Sequence, residues 1–297
     1  MRKTVFAALA AASLALAAGS AAAETRITFK SAKSASSYYA MAVQLAEGVK
    51  AATDGGVILT VEESQGSVQN VKEASRRAGN YVFTSPPSLV TLAKGGKKMF
   101  EGETGYDKIR GLFPIPQLTM HWVVRADAGV NDFADLAGKA FIPGGKGSFG
   151  EGKTLSTFEA LGIADKVDLV DVELNAAVPA IKNNQVVGFA TAGSYPAPNV
   201  IEAAASVPIK LLGLSPEQLK TVGGDMLVIP AGTYPGVDTD TTTVSLPVIA
   251  YTTADMTDDA AYALTKAYWE RKAEMAKSNP WWGGVTTEML SSLGAQV

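Results

Sequence analysis

The chain has no cysteine and a single histidine, His121, in 297 residues. The first absence excludes disulfides, thiolate nucleophiles, cysteine-ligated metals and a lipid-bearing cysteine. The second makes any Ser-His-Asp triad depend on His121 and excludes a histidine-rich metal site. Excess positive charge is also missing: 26 Lys and Arg stand against 29 Asp and Glu, a formal charge of -3. Nucleic acid needs clustered Lys and Arg, so it is not an expected partner. After the first two dozen residues there is no apolar run long enough to span a bilayer and no low-complexity tract. What is abundant is core material. With 47% hydrophobic residues the chain can fill one large or two medium domains without covalent staples.

Residues 1–23 are of a different kind. Met1-Arg2-Lys3 is a short basic start, Thr4 to Ser20 is almost entirely Ala, Leu, Val and Phe, and Ala21-Ala22-Ala23 precedes the charged Glu24. A basic segment, an apolar segment and an A-x-A site read as a secretory leader removed after Ala23. Loss of Arg2 and Lys3 takes the formal charge from -3 to -5. The remaining chain is expected to be exported and soluble, away from the ATP pool and cytosolic cofactors, so no cofactor and no metal are expected.

From Thr25 onward, short β-branched runs alternate with Ala- and Leu-rich amphipathic stretches. Strands are predicted at 26–30, 57–62, 81–84 and 109–113, with helices at 39–52, 68–78 and 88–93. The rhythm repeats with strands at 140–143, 168–172, 187–190 and 210–212 and helices at 154–161, 176–182, 199–205 and 217–221. Such alternation predicts parallel sheets covered by helices, here in two α/β lobes. Two segments look alike: the one from His121 to Val130, and the one from Val248 to Thr257. Each is an apolar strand followed by x-Ala-Asp and a helix (132–136 and 258–268). They are expected to be crossover strands between the lobes, giving a first lobe of 24–121 plus 253–297 and a second of 122–252. Ligands of open α/β sheets sit beyond the carboxyl ends of the strands, and a cleft between two such lobes gathers those ends.

Gly147-Ser-Phe-Gly-Glu-Gly-Lys153-Thr154 matches the phosphate-loop pattern G-x-x-x-x-G-K-[ST]. An exported protein meets little nucleotide triphosphate, and glycine is common here, so a nucleotide site is not inferred. The physics of the loop remains: a glycine-rich turn from strand to helix presents amide N–H groups to an anion, and a carboxylate fits as well as a phosphate. Lys146, Gly147 and Ser148 are the expected contacts.

The same device recurs in the first lobe. Ser31 to Tyr39 follows the first strand, with Ser36 or Ser37 placed to cap a helix. Gln65-Gly66-Ser67 follows the second strand. Thr84-Ser85-Pro86-Pro87 follows the third, with proline suited to a first helical turn. In the second lobe Gly193-Ser194-Tyr195 follows a strand, and Tyr195 can lie across a ligand. His121 begins a crossover strand near the cleft. Each of these also has a plain structural role, as a cap, a turn or a buried aromatic. Their placement at successive strand ends is what predicts a polar cleft.

The sequence resembles the TAXI solute receptors of tripartite ATP-independent periplasmic (TRAP) transporters. The matching stretches are Ser37-Tyr38-Tyr39, Val61 to Asn70, Trp122 to Asp127, Phe133 to Lys139, Ile229-Pro-Ala-Gly-Thr-Tyr-Pro-Gly236 and Thr265 to Tyr268. The resemblance implies a type II periplasmic-binding-protein fold, two α/β lobes joined by two crossover strands with a ligand cleft between them. It also implies a monomeric periplasmic receptor that delivers a small organic anion, a carboxylate or a dicarboxylate such as glutamate, to integral membrane TRAP permease subunits. It places Tyr38 and Phe149 in the ligand loops. This chain has Ser36-Ser37 where the family commonly has Gly-Thr, and Lys146 and Phe149 where small residues are usual. A sensory binding subunit would use the same cleft; an exported hydrolase would need a nucleophile and base that the loops do not supply.

Overall fold

A computed structural model describes residues 24–293, with side chains to residue 290; the leader read at 1–23 lies outside the described residues. The first lobe opens with β1 (Thr25–Lys30), α1 (Ser37–Ala52), β2 (Val57–Glu62), α2 (Ser67–Ala74), β3 (Tyr81–Ser85) and α3 (Pro87–Lys94). The long β4 (Ile109–Arg125) leads into β5 (Ala140–Ile142), α4 (Phe149–Ala160), β6 (Asp168–Leu169), α5 (Ala177–Lys182), β7 (Gly188–Gly193), α6 (Pro198–Ser206), β8 (Ile209–Leu211), α7 (Pro216–Val222) and β9 (Asp225–Ile229). The equally long β10 (Thr241–Thr253) returns the chain to α8 (Asp258–Ser278) and α9 (Glu288–Leu293).

The strands run in the order β2-β1-β3-β10-β4-β7-β5-β6, with β8 added to β4 and β9 to β10. β1 pairs in parallel with β2 and β3, and β5 with β6 and β7. Between these two parallel groups lie β10 and β4, antiparallel to each other. This is the two-lobe α/β arrangement expected, with the crossover strands at its centre.

The crossover strands are longer than their sequence predicts. β4 joins the strand predicted at 109–113 to the one beginning at His121, running through Pro114 and Pro116. A proline has no N–H to give to a ladder, and the pairing shows it: the β4–β10 register shifts between Leu246 and Val248, at Pro247. Both crossings thus carry proline midway between the lobes. The carbonyls there are used by tyrosines, Tyr268 donating to Pro114 O at 2.6 Å and Tyr38 to Pro116 O at 2.8 Å.

α1 shows how the sequence builds a lobe. Tyr38, Met41, Ala42, Leu45 and Val49 recur at helical spacing and are all buried. They press onto the sheet and onto α8, whose Leu264, Ala267, Tyr268 and Met275 are buried in the same core. Each such large aliphatic residue contributes roughly 1.5–3 kcal/mol by leaving water. The paired tryptophans near the end divide their work: Trp282 Nε1 donates to Gln44 of α1 at 2.7 Å, sealing the first lobe, while Trp281 Nε1 reaches Pro196 O at 3.2 Å.

Candidate functional site

The loops after β1, β2, β3, β5 and β7 meet in one crevice, with a cavity of about 40 Å³. From the β1–α1 connection come Lys33, Ser36 and Tyr38; from the β2–α2 connection Gln65, Gly66 and Ser67; from the end of β3, Thr84. The opposite wall is Gly145, Ser148, Phe149 and Gly150 after β5, with Leu174, Thr191 and Ala192. Leu118 of β4 and Val248 of β10 form the apolar back.

Three helices begin at this cavity. Ser36 is the N-cap of α1 and accepts the Tyr38 N–H at 3.2 Å. Gly66 is the N-cap of α2 at φ 108 and ψ -156, a conformation open only to glycine, and no side chain caps that helix. Ser148 is the N-cap of α4 and accepts the Glu151 N–H at 3.1 Å. Helix fronts present N–H groups and a partial positive charge. Here two come from one lobe and one from the other.

Asn70 sets the floor. It is fully buried, and its amide nitrogen donates to Ser31 O at 2.9 Å and Thr84 O at 3.0 Å. One side chain thereby ties the ends of β1 and β3 together beneath the cavity. Gln65 Oε1 is buried and has no hydrogen-bond partner.

The lobes also touch across the mouth. Lys33 Nζ lies 3.1 Å from Glu173 Oε2, Gln65 Nε2 donates to Glu173 Oε1 at 3.2 Å, and Asn175 reaches Ser34 Oγ at 3.4 Å. Deeper in, the Ser194 N–H donates to Ser37 Oγ at 2.9 Å. The arrangement is a closed one, with room for about three water-sized spheres.

Of the residues singled out in the sequence, Ser36, Tyr38, Gln65, Gly66, Ser67, Ser148 and Phe149 line the cavity. Ser37 and Gly193 lie beside it at the inner contact between lobes, where a Cβ on Gly193 would be 2.5 Å from Ser37 Oγ. The others lie apart. Ser85 is fully buried in the ladder opposite Ile249, and Thr84 faces the cavity instead, because successive strand residues point to opposite faces. His121 is 1% exposed, with Nδ1 at 3.1 Å from Thr119 O and Nε2 at 2.8 Å from the Tyr234 hydroxyl; burial pulls its pKa down to about 4 and keeps the ring neutral. Tyr195 borders a separate hollow with Pro116, Gln117 and Trp281.

The glycine-rich loop differs most from expectation. Lys146 is turned to solvent and bonded to Asp171 at 2.5 Å, which raises its pKa. The Gly147 N–H is taken by the Glu151 carboxylate at 2.6 Å. Lys153, the lysine of the motif, donates to the carbonyls of Val222 and Gly223 at 3.1 and 3.0 Å, and burial lowers its pKa. The chain's own groups occupy the positions a phosphate would need. The cation of the cavity is Lys33, in the loop after β1. The same logic that selected Lys146, a lysine between a strand end and a helix cap, applies to it equally. Thr84, Asn70 and Thr191 belong to stretches that the sequence marks at strand ends, though not as contacts themselves; Glu173 carries no comparable local signal.

A model of the NMT1-like family matches residues 29–295. Among solved structures, the fold is shared with MatC from Rhodopseudomonas palustris, solved with bound malate (TM-score 0.61, 11% identity, covering 91% of this chain and 96% of that one). It is shared also with a periplasmic transporter (TM-score 0.60, 12% identity, 92% and 93% covered) and with the periplasmic binding protein BugD (TM-score 0.56, 13% identity, 91% and 98% covered). The expected periplasmic-binding-protein architecture is therefore the one found. At these identities the likeness speaks for the fold.

Proposed function

The chain belongs to the NMT1-like family, and on that premise we propose that it is an exported receptor of the TAXI type, which closes its two lobes on a small carboxylate and presents it to a TRAP-type permease. The observation that carries this reading is the convergence of α1, α2 and α4, from both lobes, on one cavity whose only charged lining side chain among the described residues is Lys33. A carboxylate entering such a site exchanges water for amide N–H groups and hydroxyls already aimed at it. Each helix front contributes about 0.3–1 kcal/mol, and up to about 2 kcal/mol where partly buried. The apolar back formed by Leu118 and Val248 suits a short carbon skeleton. MatC, with the same fold, was solved with the dicarboxylate malate, which supports the chemical class.

The geometry favours binding without bond chemistry. Two cavity hydroxyls, those of Ser36 and Ser148, already accept helix amides, and His121 is turned away into Tyr234. Selectivity then comes from polar groups left unpaired when the wrong solute enters, and closure is a population shift driven by contacts unique to the closed form.

The test is a thermal-shift screen of small carboxylates, with mass spectrometry of any solute that co-purifies. A native-state ligand at a hundred times its Kd stabilises by about 2.7 kcal/mol, a shift readily seen. A broad carboxylate panel without any stabilisation overturns the reading.

A further inference from the structure

The walls of the cleft bear on how much negative charge the solute carries, an inference that rests on the carboxylate reading above. Lys33, the one charged side chain lining the cavity, is already neutralised by Glu173 at 3.1 Å across the cleft. The other oxygen of Glu173 accepts from Gln65 Nε2. That bond fixes the orientation of the Gln65 amide and leaves Oε1 as the buried acceptor without a donor. Around this pair the mouth is rich in acid. Asp171 holds Lys146, with Glu151 and Glu173 acting on the same ammonium, and Glu63 accepts the Ser34 N–H at 2.6 Å. Two lysines, Lys33 and Lys146, thus face four carboxylates.

The floor has the opposite character, since the fronts of α1, α2 and α4 open onto it. One carboxylate is stabilised there. A second, directed outward, would approach Glu173 and repel it at short range. It would also bring a further acceptor to Gln65 Oε1, which lacks a donor.

We propose that Glu173 is the specificity-determining residue of the cleft: it restricts the solute to one with a single carboxylate, whose other end is neutral or cationic and carries an N–H or O–H donor. Discrimination of this kind comes from a repulsive element placed against the competitor.

Matched pairs that differ by one charge test it: succinamate against succinate, and glutamine against glutamate, titrated calorimetrically into the purified protein. The member with a single carboxylate should bind at least about tenfold more tightly. E173Q should reduce that preference to about threefold or less by admitting the second carboxylate. Glu173 is 46% exposed in its side chain, so the variant should fold, and circular dichroism checks that it does. D171N removes a charge that is bonded to the solvent-facing Lys146, whereas Glu173 is bonded to the cavity residues Lys33 and Gln65; it should move the preference less than E173Q. Tighter binding of the dicarboxylates by the unaltered protein, or a preference that E173Q leaves unchanged, overturns the proposal while leaving the receptor reading intact. If no carboxylate binds at all, the receptor reading falls and this inference falls with it.

Discussion

The Tyr234 hydroxyl lies 2.8 Å from Nε2 of His121, and the same oxygen accepts the Ala197 N–H at 2.9 Å. With Nδ1–H donating to Thr119 O, a continuous chain of hydrogen bonds joins β4, the loop after β9 and the loop before α6. Its polarity is settled by the Thr119 carbonyl, which can only accept: Nδ1 carries the proton, Nε2 of the neutral imidazole is the acceptor, and the phenol donates to it.

This network makes stability depend on pH in a definite direction. Burial holds the His121 pKa at about 4, below the ordinary 6.5. Between these values the unfolded chain takes up the proton and the folded one does not. The contribution is full above about pH 6.5 and is lost as pH falls toward 4, in total about 3 kcal/mol. Denaturant unfolding from pH 7.5 to 4 should show this loss in the unaltered protein and a smaller one in H121N. Y234F should cost about 2–4 kcal/mol by leaving the Ala197 amide and the imidazole nitrogen without their partner. Equal pH slopes for the unaltered protein and H121N would mean that His121 is not held neutral.

Asn70 offers a second test. Its amide serves the carbonyls of Ser31 and Thr84, two of the residues around the cavity. N70A leaves both carbonyls without that donor under a sealed floor, at a cost of about 2–4 kcal/mol. It also frees the two strand ends relative to each other. Lower thermal stability should come with weaker solute binding even when binding is measured well below the new melting temperature. Unaltered affinity in folded N70A would confine Asn70 to a role in the fold.

What could be read from the sequence divides along physical lines. Periodicity marked α1, β2 and α6 to within about two residues, because each has an unbroken pattern that burial then satisfies. The front of α4 lies five residues before its predicted start: Gly150 and Gly152 look like loop, yet Gly150 packs on Ala192, where a larger side chain would crowd that residue's backbone and Cβ. β4 spans two stretches that the sequence predicts separately; Pro114 and Pro116 between them sit at the crossing, where ladder bonds are irregular. β9 went unread; its Met226 and Val228 lie exposed on a strand paired only with β10. In the site, the residues at helix caps were legible because capping has a local signature. Glu173 is not, since its role depends on Lys33, 140 positions away across the cleft; Asn70 falls in a marked stretch, but its bridging role depends on Ser31, 39 positions away beneath the cavity.

Ser148→Asp separates capping from solute contact. Aspartate caps a helix about as well as serine, so α4 and the melting temperature should change little. The new carboxylate would stand in the cavity wall, where Ser148 now lies, and oppose an anionic solute. Affinity for the carboxylate found in the screen should fall at least tenfold, roughly 1.4 kcal/mol or more. An unchanged affinity in a protein of unchanged stability removes Ser148 from the solute's surroundings.

Gly193 and Ser37 report on closure itself. Ser37 belongs to α1 of the first lobe, Gly193 ends β7 of the second and Ser194 follows it; the Ser194 N–H donates to Ser37 Oγ at 2.9 Å. A methyl group on Gly193 would meet that oxygen at 2.5 Å. Either the hydroxyl rotates away and the bond is lost, or the lobes stay farther apart. Both weaken the closed form, so G193A should lower solute affinity about tenfold with a small effect on melting of the solute-free protein. Gly188, at the start of the same strand, is a different case: a methyl there collides with the Val123 carbonyl inside the sheet, and G188A should lower stability outright. The decisive variant is S37A combined with G193A. Once Oγ is gone, the nearest remaining Ser37 atom is Cβ at 3.6 Å, an ordinary contact. The double variant should therefore recover part of the affinity that G193A loses, a coupling that two independent sites do not show. If the two losses simply add, the two positions are uncoupled, and the added methyl does not act through the Ser37 hydroxyl.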